Sequence, residues 1–397
     1  MIALSELNDL PTREFVTTLG AIFEHSPWVA ERAAAGRPYA SRLHLLEAMR
    51  MVVEQASPEE QSTLIRAHPK LGARGRTRAE LTQASASEQH RAGLDACTPQ
   101  DFAQLDGLNT AYVEKFAMPF ILAVRGHDPE SIIATLKRRL THDEPFERNT
   151  ALGQIGLIAG FRLTDVVATP AGVEIMAMNE RLALCSDRTG VDRTGVDGTG
   201  VGQGSAALLR EWMLAAGLDV SAAGGGNMMG RRRTDRSNAK RLLVGVHYDT
   251  AANTVRYDGR LGCLLGIAVT QQLKQKGRHL PFELLVLARP SDERAGRCAS
   301  LADPDALRGC VTLSALDGAT LDGAVLDGAG GSEDGSWVLA ALRASGLAEG
   351  ILAIAVQGPA GVVYRSEAPC GAAECERAAH TLEEFLLQTQ DSSFTTG

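Results

Sequence analysis

Over residues 1–167 the apolar positions recur at intervals of three and four, the spacing of one helical face, and no stretch sustains the alternation of a strand. Helix-start signals punctuate the same region. Thr12 precedes REFVTTLGAIF, Ser57-Pro58-Glu59-Glu60 precedes QSTLIRAH, Thr98-Pro99 precedes QDFAQL and Asp128-Pro129 precedes ESIIATLKRRL. Each supplies a side-chain oxygen that can accept from the open N–H groups of a first helical turn, and proline suits the next position because its φ is preset and it has no N–H to lose. The expectation is an all-helical domain over 1–167. The turn formers in ATPAGVE (168–174) predict a linker. From 175 to 397 the texture changes: the short apolar runs RLLVGVH (241–247) and FELLVLA (282–288) alternate with helical patterns in GCLLGIAVTQQLKQK and CERAAHTLEEFLLQ. Strands alternating with helices predict an α/β domain with a largely parallel sheet. Within it, residues 187–202 (DRTGVDRTGVDGTGVG) repeat a TGVD unit too polar and glycine-rich to pack, which predicts a surface loop.

Composition narrows the class. A 397-residue chain with 44% hydrophobic and 22% charged residues is long enough for two domains with cores of their own. A net charge of −8 without a Lys/Arg block argues against a nucleic-acid partner held by charge. No apolar run approaches the roughly 20 residues of a membrane span, and MIALSELNDLPTREF lacks the basic-then-apolar order of a signal peptide. The seven cysteines form no ligand-spaced pairs, so reduced thiols and a cytoplasmic protein are expected.

Four patterns in the helical region could carry chemistry. His68 lies in AHPKLG, where Pro69 and Gly72 stop a helix and hold the imidazole at a rigid corner; a helix-terminal histidine stabilised by the helix dipole is the plain alternative. Ser85, Glu88 and Gln89 of SASEQ share a helical face, a combination able to grip a polar heterocycle, although Ser-x-x-Glu is also a capping box. Pro119 interrupts the apolar run FAMPFILAVR (116–125), which predicts a kinked helix with backbone polar groups freed for a ligand, or a kinked core helix only. Arg162 sits at helical steps from Leu152, Ile155 and Ala159, on the apolar stripe, where a guanidinium needs an anionic partner: a substrate carboxylate, or Glu88 in a salt bridge.

Taken together, FEHSPWVAERA (23–33), HPKLG (68–72), SASEQ (85–89), LNTAYVEKFAMPFILAVRG (108–126) and ERNTALGQIGLIAGFRL (147–163) resemble 2-oxo-4-hydroxy-4-carboxy-5-ureidoimidazoline (OHCU) decarboxylase over about residues 5–167. The resemblance implies a small all-helical enzyme, a homodimer, that removes CO2 to give (S)-allantoin in urate breakdown with no cofactor. It implies His68 as proton donor, Glu88 and Arg162 as charged site residues, and a substrate lined by Pro69, by Ser85, Ala86, Ser87 and Gln89, and by Phe120, Ile121, Leu122, Ala123 and Val124. The chemistry is coherent, because a ring carbonyl can delocalise the carbanion left by CO2 and an imidazole titrates near working pH. Glu88 is then expected to hold the imidazole or a ring N–H, and Arg162 the carboxylate or developing oxyanion.

In the C-terminal region GGGNMMGRR (224–232), VGVHYDTA (244–251), VRYDGRLGCLLGIAV (255–269) and LPFELLVLARPSDERAGR (280–297) resemble M20-type zinc amidohydrolases, allantoate amidohydrolase and N-carbamoyl-amino-acid hydrolases in particular. Aligned without a gap from LPF, the resemblance implies His247, Asp258 and Glu293 as metal ligands and Asp292 in the base position; a shift of one residue puts Glu293 at the base and Arg294, which cannot be a ligand, at the metal. It also shows departures. IAVQGP (354–359) stands where the family carries a histidine ligand, YRSEAPCGAAEC (364–375) has no counterpart of the last one, and the lid domain is missing between Gly358 and Val363. A two-metal site needs about three ligands per ion, so at most a residual zinc site is expected. The leading expectation is a decarboxylase with an inactive hydrolase-like appendage. The alternatives are a bifunctional enzyme that keeps zinc-dependent amidohydrolase activity on allantoate or another ureido compound, and a non-enzymatic binder of ureido metabolites.

Overall fold

A computed structural model describes residues 1–72, 82–94, 97–187, 204–223, 227–236, 241–247, 260–289, 307–314, 353–357, 362–363 and 371–388. The chain divides into two compact units, Met1–Thr169 and Pro170–Gly397.

The first unit is built from helices α1 (Leu4–Asp9), α2 (Thr12–Leu19), α3 (Trp28–Ala33), α4 (Arg42–Glu54), α5 (Pro58–Arg66), α6 (Gln83–Arg91), α7 (Pro99–Phe116), α8 (Pro129–Arg139) and α9 (Glu144–Val166), with a 3-10 turn at Ala34–Gly36. Side-chain caps fix several starts. Ser57 and Glu60 close a reciprocal capping box on α5, Thr98 accepts from the Asp101 N–H on α7, and Asp128 accepts from the Ser131 N–H on α8. Thr12 is not a cap: it is the first helical residue of α2, and Pro11 occupies the cap position. The inward stripes bury Leu7, Phe15, Leu19, Leu45, Met49, Leu64, Tyr112, Leu136 and Leu163 almost completely, each worth about 1.5–3 kcal/mol for an aliphatic side chain.

Two expectations for this unit are corrected. It is not purely helical, because β1 (Ile2–Ala3) pairs in parallel with β2 (Val167–Ala168), strands too short to show a period. Pro119 does not kink a continuing helix. The helix α7 stops at Phe116, Ala117 adopts a left-handed φ of 53°, and residues 119–124 run on without turn or bend. The residue before proline is pushed out of the helical region, and here the chain leaves the helix altogether.

The second unit contains α10 (Ala171–Asp187), α11 (Ser205–Ala216), β3 (Asp219–Ala223), β4 (Asn227–Arg232), β5 (Arg241–His247), α12 (Arg260–Gln275), β6 (Glu283–Arg289), β7 (Leu307–Ser314), β8 (Ala353–Gln357), β9 (Val362–Val363) and α13 (Ala372–Gln388). The stretch expected as a linker is largely the first turn of α10. Its Gly172 permits a close approach rather than flexibility: a Cβ there would stand 1.9 Å from the Ala372 carbonyl oxygen, and its N–H donates to Glu376 at 2.6 Å.

The sheet order is β3-β4-β6-β5-β7-β8-β9. Only the central strands are parallel, β5 with β6 and with β7; the described pairings on either side are antiparallel, which corrects the expectation of a largely parallel sheet. Three residues join β3 to β4, and a connection that short can link only antiparallel neighbours, since a parallel crossover needs a dozen or more. On this sheet α12 lies close, because Gly266 brings no side chain between it and Val286 and Val244. Most of the repeat at 187–202 lies outside the described residues, as do Asp258, Asp292 and Glu293; of His247 the described part is its backbone at the end of β5.

Candidate active site

Three local devices bring one set of polar side chains together in the first unit. The first is the corner after α5. Pro69 ends the helical course, Gly72 takes a φ of 73°, its N–H donates to the Gln89 Oε1 at 3.0 Å, and the Asn109 amide donates to the Leu71 carbonyl at 3.0 Å. His68 is thereby held in the interior, 7% exposed. The second is α6. Its cap is Thr82, whose hydroxyl accepts from the Ser85 N–H, so Ser85 is an interior helical residue and its own hydroxyl is released from capping. The third is α9, whose apolar stripe carries Arg162 inward.

His68, Pro69, Leu71, Ser85, Glu88, Gln89, Phe120, Ile121, Leu122, Val124, Ile158 and Arg162 line one cavity, about 360 Å³ including the solvent at its mouth. Of the residues expected on sequence to line the substrate, Ala86, Ser87 and Ala123 are not in this lining. Ala123 instead turns its N–H to the Gln154 Oε1 at 2.9 Å.

The electrostatics centre on Arg162. Its Nε donates to the Glu88 Oε1 at 2.9 Å and its Nη2 to the Glu88 Oε2 at 3.0 Å, a bidentate pair. Nη2 also donates to the Ser85 Oγ at 3.1 Å, while Nη1 donates to the Glu24 Oε2 at 2.7 Å and the Ala21 carbonyl at 3.5 Å. A guanidinium has five N–H donors. All five are engaged by protein groups, the Glu88 salt bridge among them. Arg162 orders two carboxylates and a hydroxyl around the cavity.

Glu24 is the residue that sequence reasoning missed. It is 1% exposed and accepts from the Thr82 hydroxyl at 2.7 Å, the Ser85 hydroxyl at 3.0 Å and Arg162. Burial alone would raise its pKa, but Arg162 and the Thr82 hydroxyl outweigh that and hold the carboxyl below its ordinary value.

His68 is electrically the opposite of an imidazolium. Burial pushes its pKa down to about 4, against smaller upward pulls from the Leu64 carbonyl and Glu24. Its Nδ1 lies 2.9 Å from the Leu64 carbonyl oxygen. A carbonyl only accepts, so Nδ1 carries the proton and Nε2 carries a lone pair. At neutral pH the cavity thus presents a base.

Behind Phe120 and Ile121 lies a second buried charge cluster. Arg139 and Glu147 are both fully buried; the Arg139 Nε donates to the Glu147 Oε1 at 2.8 Å, and the Tyr112 hydroxyl donates to the same oxygen. The other Glu147 oxygen lies 2.6 Å from the His142 Nδ1.

Among the described residues no three His, Cys, Asp or Glu side chains gather as a candidate metal site, and no helix is long and apolar enough to cross a membrane.

A solved hydantoinase/carbamoylase family amidase from Burkholderia ambifaria, a likeness to the C-terminal part, shares 26% identity, covering 31% of this chain and 30% of that one with a TM-score of 0.26. The uric acid degradation bifunctional protein of Bacillus sp. (strain TB-90) is 42% identical over 166 residues, 42% of this chain and 32% of that relative. The 2-oxo-4-hydroxy-4-carboxy-5-ureidoimidazoline decarboxylase of Haloferax volcanii is 43% identical over 164 residues, 41% of this chain and 95% of the relative. A family model described as OHCU decarboxylase matches residues 8–164, the stretch that carries His68, Glu88 and Arg162. Through its N-terminal unit the chain belongs to the OHCU decarboxylase family.

Proposed function

We propose that the N-terminal unit decarboxylates 2-oxo-4-hydroxy-4-carboxy-5-ureidoimidazoline to (S)-allantoin, with His68 as the group that moves the proton. The observation that carries this reading is the neutral imidazole in the cavity, its tautomer set by the Leu64 carbonyl, beside carboxylates ordered by Arg162. As a neutral base His68 must collect a proton before it can donate one. The substrate offers its 4-hydroxyl proton. The bond to CO2 breaks and its electron pair forms a C=C bond to the ureido-bearing carbon, while the C=N π pair moves onto nitrogen, which takes a proton from water. His68 takes the hydroxyl proton as the ring carbonyl forms, and returns it to the neighbouring carbon on one face. Positioning of this kind supplies most of what a cofactor-free decarboxylation needs.

Glu88, whose two oxygens already accept from Arg162, retains lone pairs for a ring or ureido N–H. Gln89 uses its carbonyl on Gly72 and keeps its amide hydrogens for a substrate carbonyl. With Arg162 saturated, the carboxylate falls to backbone donors. The N–H groups of Phe120 and Val124, in the cavity lining, donate to nothing among the described residues. The test uses the full chain and substrate freshly generated by urate oxidation. Rapid, optically pure (S)-allantoin is expected, together with its loss in His68→Asn; slow racemic decay from the wild type would refute the assignment.

For the C-terminal unit we propose a hydrolase-like fold without hydrolytic activity. The sequence offers His247, Asp258 and Glu293 but lacks the two further histidines of the family it resembles. Zinc near two equivalents per chain, with turnover of allantoate, would overturn this.

A further inference from the structure

The buried cluster behind the cavity has a geometry that a merely structural ion pair does not require. The Arg139 Nη1 donates to the Ile121 carbonyl at 2.6 Å, and the guanidinium stacks on the Phe120 ring with 4.6 Å to its centroid. Glu147 fixes the other side of that guanidinium, and Tyr112 sets its ring edge-on to Phe120 at 5.3 Å. Two residues along, the Gln154 Oε1 accepts from the Ala123 N–H, and Gln154 is itself 3% exposed. The straight stretch 119–124 is therefore held from behind at two points, one on a carbonyl and one on an N–H, by side chains of α8 and α9.

We propose that Arg139 and Gln154 are positioning residues for the decarboxylation, acting through the backbone they hold; this rests on the lyase reading above. Within a planar trans peptide the C=O and the N–H of the following residue point to opposite sides. With the Ile121 carbonyl and the Ala123 N–H turned inward to their clamps, the N–H and C=O of Leu122 are turned the other way, toward the cavity that Leu122 lines. A donor and an acceptor then stand at fixed places in a wall that is otherwise apolar. They meet a ligand carrying alternating C=O and N–H groups, such as a ureido arm, without the entropy cost of a flexible polar side chain. The stack on Phe120 fixes the ring that borders this peptide.

The test compares Arg139→Lys and Gln154→Met with Tyr112→Phe in the full chain. Tyr112→Phe removes a hydrogen bond from the same buried cluster but touches no backbone of the stretch 119–124, so it reports what a purely structural loss does. Arg139→Lys and Gln154→Met are expected to raise KM about tenfold or more and to lower the optical purity of the allantoin formed, as small misplacements of a bound substrate do. Tyr112→Phe is expected to lower only the melting temperature. Amide hydrogen exchange over residues 118–124, which needs no turnover, is expected to quicken in the first two variants. If both fold and keep the wild-type KM and optical purity, or if exchange in that stretch is unchanged, the positioning role is overturned. An inactive wild type with quickened exchange in the variants would instead overturn the lyase reading, and with it the role of the clamp in catalysis.

Discussion

Two buried arginines anchor the N-terminal unit, and they are used in opposite ways. Arg139 is matched by one carboxylate, Glu147, in a fully buried cluster with Tyr112, and its Nη1 donates to backbone. Arg162 faces two carboxylates, Glu24 and Glu88, at the edge of a cavity beside an imidazole whose pKa burial has pushed down to about 4. The first arrangement is balanced and closed. The second carries one carboxylate more than its guanidinium and, among the described residues, leaves the imidazole Nε2 lone pair without a hydrogen-bond donor. A buried ion pair alone is weak evidence of function, since structural networks contain many. What separates the two is a neutral imidazole and a second carboxylate beside the cavity.

The largest contrast is expected from His68→Asn, which removes the proton carrier and should reduce kcat by roughly 10²–10⁴-fold, while Tyr112→Phe in the other cluster leaves kcat unchanged; steady-state kinetics with fresh substrate checks both. Next come the arginines themselves. Arg139→Met strands a fully buried Glu147 and is expected to cost about 3–5 kcal/mol of stability in denaturant unfolding. Arg162→Met strands the buried Glu24 as well and should cost comparable stability, but more activity, because three site groups lose their common anchor. Equal losses on both readouts would erase the distinction between the clusters.

A smaller effect separates them by pH. Between about 4 and 6.5 the unfolded chain binds a proton at His68 that the folded chain does not. The stability this histidine permits is complete above pH 6.5 and is lost as pH falls toward 4, by roughly 3 kcal/mol over the window. Glu24, whose folded pKa is lowered, acts in the same direction further down: its contribution is present above the ordinary carboxylate value and disappears as pH falls through the folded one. Urea midpoints of the wild type should fall accordingly on acidification, and those of His68→Asn should fall less. The smallest effect is Ser85→Ala, which removes one hydroxyl between Glu24 and Arg162 at about 1 kcal/mol.

Sequence and structure agree where a single local rule decides. Ser57, Thr98 and Asp128 are caps because oxygen, proline and helical spacing coincide, and Arg162 points inward because it lies on an apolar stripe. Arg139 escaped notice because the run Lys137-Arg138-Arg139 reads as a basic last turn facing water. The test applied to Arg162 identifies it, since Arg139 continues the stripe of Ile132 and Leu136. Glu24 lies in a turn, where no periodicity marks the inside. The stretch after Pro119 looked helical because apolar residues without alternation fit a buried helix as well as straight chain, and only the backbone conformation at Ala117 decides between them. In the C-terminal unit the three-residue connection between β3 and β4 was a hairpin signal, but its glycines were read through a family motif instead.

The account turns on which form of His68 is active, and the pH dependence of kcat/KM of the full chain with freshly generated substrate tests that most directly. A base that collects the substrate's own proton predicts a plateau through neutral pH and a fall only as pH approaches about 4, with the fall absent from the residual rate of His68→Asn. A rate that instead climbs as pH drops through 6.5 would mean that imidazolium is the working form, and would contradict it.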